Sequence, residues 1–176
     1  MAFTAIGSAQ ISSQFFLKAH CQGNTTQNQI AISFDDGPHE EITPLILKTL
    51  KKYKVPASFF LIGKNIAGNE ALVKQIAAQG HLIGNHSFSH SRYLAFKSVS
   101  ELKQELIETN ALVSGLTGKE MLYFRPPFGA TSPRIARATE QLDFKNIGWS
   151  IRSFDTGSDS AEVITERVLS QIAPGK

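Results

Sequence analysis

From Ile30 onward, short apolar runs alternate with segments whose apolar residues recur at helical spacing. Ile30–Phe34 reads as a buried strand, Ala57–Ile62 (ASFFLI) as a second and His81–Asn85 as a third, with Leu122–Phe124 and Phe144–Trp149 continuing the series. Between them, Pro44–Tyr53 gathers Leu45, Ile46, Leu50 and Tyr53 at helical spacing. Glu70–Gln79 and Ala161–Ile172 read as helices too. The longest helical candidate is Ser100–Leu116, where Leu102, Leu106, Leu112 and Val113 make a broad apolar face. Ser98 or Ser100 is placed to cap it, and Glu101 suits its first turn. Strands alternating with crossover-length helices predict parallel βαβ units.

The polar stretch Gln22–Gln29 (QGNTTQNQ) precedes the first strong strand and reads as a linker or loop. Residues 1–29 are therefore expected to be an extension, and 30–176 one domain with a substantial core. A composition of 41% hydrophobic and 19% charged residues argues against disorder and fibrous repeats. The formal charge is only +3, and the lysines and arginines are dispersed without a basic stripe, so nucleic acid is not an expected partner. The single cysteine, Cys21, excludes an internal disulfide and leaves the compartment undecided. Met1–Gly7 lacks the charged start and apolar run of a signal peptide, and no stretch is suited to span a membrane.

The chemically capable residues follow the carboxyl ends of the expected strands: Asp35-Asp36, His86, Arg125 and Asp155. Active sites of α/β barrels and open parallel sheets lie at those ends, and a barrel suits a site supplied by four or more strands. No glycine-rich phosphate loop is present. His86 and His90 are four apart, so a helix or tight helical turn would put both rings on one face. Two neutral imidazoles and a carboxylate form a three-ligand set for zinc or a related metal, with positions left for water and substrate. Two adjacent aspartates can both face a site only if the chain turns there, and Gly37-Pro38 supplies the turn. The plainer alternative is a solvated Asp-Gly-Pro loop or a helix cap. Arg125-Pro126-Pro127-Phe128-Gly129 offers a rigid backbone, with an arginine able to hold a catalytic carboxylate ionised. Its alternative is a surface arginine beside a structural turn.

Taken in order, Ser33-Phe34-Asp35-Asp36-Gly37-Pro38, His86-Ser87-Phe88-Ser89-His90 and Arg125-Pro126-Pro127-Phe128-Gly129 resemble the NodB-like polysaccharide deacetylases, carbohydrate esterase family 4. Ala57-Ser58-Phe59-Phe60 and Gly80–Asn85 are similar to that family's second and third strands. The resemblance implies a distorted (β/α)7 barrel that removes N-acetyl groups from amino-sugar polysaccharides such as peptidoglycan or chitin. It implies Asp36, His86 and His90 as ligands of a divalent metal, usually zinc, with cobalt or nickel also compatible with the donor set. It further implies Asp35 as general base; the Phe128 N–H is a candidate oxyanion donor, and Arg125 a candidate to hold a catalytic carboxylate ionised. The family often has tyrosine at Phe128, a change that leaves the backbone donor in place. By the same resemblance the partner is an N-acetylated glycan and the location is the cell envelope or beyond.

Two departures qualify that likeness. The family's usual Asp-Ser/Thr-x-Asp-Trp reads Arg152-Ser153-Phe154-Asp155-Thr156 here, so Asp155 is retained to orient its neighbours while Arg152 replaces an acid. The family's last strand carries Leu-x-His, whose histidine protonates the leaving amine, and this chain stops at Ile172–Lys176 where that strand is expected. No histidine follows His90. His81 reads as structural, His20 lies outside the motifs, and His39 directly follows the aspartate turn. The gap in the barrel leaves three expectations: truncation, cover by the N-terminal segment, or cover by a partner chain. Besides N-deacetylation, the motifs leave open a catalytically silent, metal-retaining carbohydrate-binding remnant and an esterase acting on O-acetyl xylan.

Overall fold

The computed structural model describes residues 11–157 and 159–176. Five parallel strands, β1 (Ser33–Gly37), β2 (Ser58–Leu61), β3 (Leu82–Asn85), β4 (Tyr123–Phe124) and β5 (Lys145–Asn146), form one sheet in the order β1-β2-β3-β4-β5. Each strand neighbours the next in sequence, so the chain winds one way only, as a (β/α) barrel does. The helices are α1 (Ile42–Tyr53), α2 (Glu70–Ala78), α3 (Val99–Thr117), α4 (Pro133–Gln141) and α5 (Ala161–Leu169). The α/β class and strand order match the expectation. The sheet itself is open: β1 and β5 do not pair.

Register explains why distant residues meet. Gly37 pairs with Leu61, Leu61 with Asn85, Asn85 with Phe124 and Phe124 with Asn146, so the strand ends form one row. The residues that follow, His86 and Arg125 among them, enter the next layer together. Alternation then sorts the side chains. Phe59, Leu61 and Phe124 join the buried core with Val73, Ile76, Leu106 and Ile135, whereas the Phe60 ring lies 4.1 Å from the Arg125 guanidinium.

Helix ends follow local chemistry. Ser98, not Ser100, caps α3: its Oγ accepts from Glu101 N at 3.3 Å, while the Glu101 carboxylate accepts from Ser98 N at 2.8 Å. Gly118, at φ +69°, ends the helix in the left-handed conformation glycine favours. Helix α4 has no counterpart among the sequence expectations. It carries a single large apolar residue, Ile135, but Ala138 and Thr139 complete its buried stripe, Ser132 caps it and Pro133 opens it.

Two differences concern the edges. The first strand begins at Ser33 rather than Ile30, and Ile30 and Ile32 are exposed instead of buried. The backbone of this stretch is paired, with Ala31 N donating to Lys176 O and Gly175 N to Gln29 O, each at 2.8 Å, but the isoleucine side chains are left uncovered. Helix α5 ends at Leu169 rather than Ile172 and buries none of its residues. At the opposite edge, the N-terminal segment runs along β5: His20 N donates to Asn146 O at 2.8 Å and Gly148 N to His20 O at 3.0 Å, a parallel bridge to Ile147. Ile11, Leu17 and Ala19 are buried there. The N-terminal segment thus lies along the β5 edge, beside the gap between β5 and β1. Among the described residues, no helix is long and apolar enough to cross a membrane.

Gly84 is a sharp probe of the packing inside the sheet's curve. A Cβ there would lie 2.5 Å from two atoms of the Phe60 ring, which also carries Arg125. Gly84→Ala is expected to lower unfolding free energy in urea by about 1–3 kcal/mol, the range for overpacking. An unchanged midpoint would show that Phe60 yields freely.

Candidate metal centre

In a regular strand Asp35 and Asp36 would point to opposite faces. Here the β1–β2 register breaks between Phe34 and Gly37, and Asp36 adopts φ +67°, a left-handed conformation that aspartate tolerates better than most residues. Asn65 Nδ2 donates to the Asp36 carbonyl at 3.0 Å and holds the turn. Both carboxylates therefore reach the layer above the sheet, where they take different partners.

Asp36 faces the histidines. Its Oδ1 lies 3.4 Å from His86 Nε2 and 3.0 Å from His90 Nε2, and the three candidate ligand atoms lie within 4.8 Å of one another. His86 is almost fully buried, and its Nδ1 is 2.6 Å from the Arg125 carbonyl oxygen. A carbonyl only accepts, so Nδ1 donates and Nε2 is left to face the centre. Hydrogen bonds from His86 and then His90 hold the Asp36 carboxyl well below the usual carboxylate range, against the opposing effect of burial. A deprotonated carboxylate and two converging imidazole nitrogens fit a divalent metal of the zinc type.

The two rings do not converge through a helical turn. Ser87 at φ +65° and His90 at φ +51° bend the loop, bringing the ring centroids within 5.0 Å. Ser87 Oγ accepts from His90 N at 3.1 Å, and buried Asn85 Oδ1 accepts from Ser87 N at 2.9 Å. A residue that the motifs did not reveal holds the loop's middle. Glu105, on the buried face of α3, accepts from Phe88 N at 2.9 Å, Ser89 N at 2.7 Å and Ser89 Oγ at 2.6 Å, and pairs with Lys97. A glutamate on the apolar stripe between Leu102 and Leu106 was the available signal. On the other side the loop rests on Gly63, where a Cβ would meet Phe88 and Thr109 at 2.5 Å.

Asp35 belongs to Arg125. The Arg125 Nη1 lies 2.6 Å from Asp35 Oδ1 and 2.8 Å from Ser33 Oγ, and Nη2 donates to Gly148 O at 2.9 Å. Burial lowers the guanidinium's pKa from its ordinary value, while the charge and hydrogen bond of Asp35 raise it. Arg125 is thus a buried organiser and not a surface residue. Phe128 sits at φ +59° with its ring centroid 4.7 Å from that of His90. Asp155 is not brought into this group: it is exposed, with its carboxylate accepting from Ser153 Oγ at 2.9 Å. His39 Nδ1 accepts from Glu41 N at 3.3 Å and Ile42 N at 3.4 Å, at the start of α1. His81 is buried under β2, its Nδ1 accepting from Ala57 N at 3.3 Å.

These features define an α/β protein with a two-histidine, one-carboxylate centre at the carboxyl ends of its strands and a second, arginine-paired carboxylate beside it. The family model described as polysaccharide deacetylase matches residues 22–147, and the chain belongs to that family. It is 39% identical over 154 residues to a peptidoglycan-N-acetylglucosamine deacetylase of Bacillus cereus, covering 87% of this chain and 55% of that protein. Among solved structures, the Bc1960 peptidoglycan N-acetylglucosamine deacetylase in complex with an N-oxidanyl-benzamide superposes with a TM-score of 0.83 at 38% identity, over 89% of this chain and 72% of that one. An acetyl xylan esterase from Clostridium thermocellum in complex with a cobalt ion gives a TM-score of 0.73 at 31% identity, over 81% of this chain and 68% of that one. The chain thus spans little more than half the length of the Bacillus cereus relative.

Glu105→Gln is expected to weaken zinc affinity about tenfold, as loss of an outer support does, measured by equilibrium dialysis. Burial pushes the Glu105 carboxyl up, but bonds from Lys97 and Ser89 outweigh it and leave its pKa below 4.5. Its contribution to stability is therefore present above that value and lost as pH falls through the folded-state pKa. Acid-induced loss of urea stability below about pH 4.5 is expected to be smaller in Glu105→Gln than in the unsubstituted protein.

Proposed function

We propose that this domain is a metal-dependent hydrolase that removes N-acetyl groups from amino-sugar polysaccharides, peptidoglycan foremost. The observation that carries the reading is the division of labour between adjacent carboxylates. Asp36 converges with His86 and His90, whereas Asp35 pairs with Arg125 and stays outside the donor set. A divalent metal held by Asp36, His86 and His90, zinc in first place, would supply Lewis-acid activation of the acyl carbonyl and of water.

The remaining steps belong to the protein's own groups. Asp35 removes a proton from the attacking water, with its orientation set by the 2.6 Å bond from Arg125. The Phe128 N–H, presented by a proline-stiffened turn, donates to the developing oxyanion. The departing nitrogen must be protonated, and the proton taken by Asp35 is the source closest to hand. His39 has its Nδ1 turned to the start of α1, which counts against it as the acid. The names of the similar deacetylases support an N-acetylglucosamine polymer as substrate, a reading that goes with a location at the cell envelope.

Similarity to an acetyl xylan esterase favours a second reading, in which the same groups hydrolyse O-acetyl esters. An alcohol leaves more readily than an amine, so this chemistry asks less of a proton donor.

Acetate release from chitooligosaccharides and from acetylated xylan, with zinc content measured on the same sample, decides between them. Release from the chitooligosaccharide alone is expected. Zinc retained with no acetate from either substrate would leave a silent binding domain. Asp35→Asn is expected to keep zinc and lower kcat by at least about a hundredfold, the scale of general-base catalysis, while Asp36→Ala loses the metal. Loss of zinc in Asp35→Asn would show that the roles are wrongly divided.

A further inference from the structure

Across Trp149 from the Arg125–Asp35 pair lies a groove of about 880 Å³ that the steps above do not use. Its lining carries Lys18, His20 and Arg152 but no aspartate or glutamate, with the Trp149 and Phe154 rings as its apolar faces. Its other polar lining is mostly glutamine and serine, groups suited to sugar hydroxyls. Trp149 is the wall it shares with the site. The Arg125 guanidinium lies 5.4 Å from the Trp149 ring, and a Cβ on Gly129, next to Phe128, would fall 2.8 Å from the indole.

Arg152 is the group in this groove with the most to explain. Its guanidinium lies 5.0 Å from the Trp149 ring and 4.9 Å from the Phe154 ring. That arrangement stiffens a long side chain and leaves its N–H edge free for a ligand. Neither Arg152 nor Lys18 has an ion pair among the described residues, whereas Arg125, Arg167 and Lys97 each have an acidic partner. Two unneutralised cations beside an aromatic platform, in a lining without carboxylates, are complementary to an anionic sugar and not to a neutral one.

We propose that Arg152, assisted by Lys18, is an anion-recognition subsite that selects glycans carrying a carboxylate close to the N-acetyl group to be removed. The inference rests on the deacetylase reading and narrows its substrate class. A pyranose stacks on Trp149, its acetamido group reaches toward Asp35 and the Asp36–His86–His90 centre, and its carboxylate meets the Arg152 fork. Arginine suits this role because its planar N–H edge can engage both oxygens of a carboxylate.

The test compares two forms of one substrate: a tetrasaccharide alternating N-acetylglucosamine and N-acetylmuramic acid, and the same sugar with its carboxyls methyl-esterified. With zinc-loaded protein, kcat/KM is expected to favour the free acid about tenfold, chiefly through KM and less so at high salt. The acid-to-ester ratio should fall to about one in Arg152→Ala and below one in Arg152→Glu. Equal values for acid and ester in the unsubstituted protein, or a preference that survives Arg152→Glu, would overturn the subsite. Calorimetric titration of both sugars into the Asp35→Asn protein separates the two levels of the argument. Tighter binding of the acid, without acetate release by the unsubstituted chain, upholds the subsite and removes the hydrolase. Acetate release without preference does the reverse.

Discussion

The buried Arg125 guanidinium joins more of this molecule than any other single group. Its Nη1 reaches Ser33 and Asp35 of β1, its Nη2 holds the Gly148 carbonyl after β5, and its plane rests on the Phe60 ring. Its main chain is equally committed. The Arg125 N–H donates to Asn85 O at 3.0 Å, and its carbonyl accepts from His86 Nδ1. One residue therefore ties the two edges of an open sheet together from inside while orienting both Asp35 and His86. Burying a charge without partners costs several kcal/mol, so the position is viable only because Asp35 and the carbonyls are there. Fold and site constrain one another at this point.

The same logic explains how neighbouring aspartates acquire separate chemistry. Were Asp35 and Asp36 on a regular strand, one would face the helices and the other the site. The irregular β1–β2 register and the left-handed Asp36 place both above the sheet but at different angles. Left-handed backbone recurs at Ser87, His90 and Phe128, in the segments that converge on the centre. Such conformations cost free energy and persist where surrounding contacts over-determine them. Asn65, Asn85, Ser87 and Glu105 supply those contacts through hydrogen bonds to backbone in the two loops. The geometry of the Asp36–His86–His90 cluster is thus set in part by residues outside it.

Much of this was legible along the chain, and the division follows the range of the interactions. Strand order, the α/β class and the Asp36–His86–His90 cluster follow from motifs placed at strand ends, whereas the motifs left unspecified which carboxylate Arg125 holds. What escaped reading depends on contacts between segments far apart in sequence. The His86–His90 spacing suggested a helical turn, but Glu105 on α3 and Gly63 after β2 shape a bent loop instead. Helix α4 was invisible because Ala138 and Thr139 become core only once α3 packs beside them. Ile30 and Ile32 looked buried because apolar pattern reports what a segment tolerates, not whether a neighbour covers it. Asp155 matched a motif position, yet its carboxylate turns to Ser153.

The N-terminal segment carries that argument furthest. Nothing in Leu17–Cys21 announces a strand, and a polar stretch separates it from β1. Yet its backbone satisfies β5 on both sides of Ile147, and Leu17 joins the same core as Phe59 and Leu47. The fit depends on absent side chains. A Cβ on Gly148 would fall 2.5 Å from the Cys21 sulfur and 3.1 Å from Ile11, and one on Gly129 would strike Trp149. These two glycines let the added segment and the indole lie flat against the turns after β4 and β5. The wall they build places Trp149 between Arg125, which pairs with Asp35, and Arg152, which faces the groove. Substitutions in a segment outside the three motifs would therefore reshape the groove beside Trp149 while leaving the Asp36–His86–His90 cluster in place.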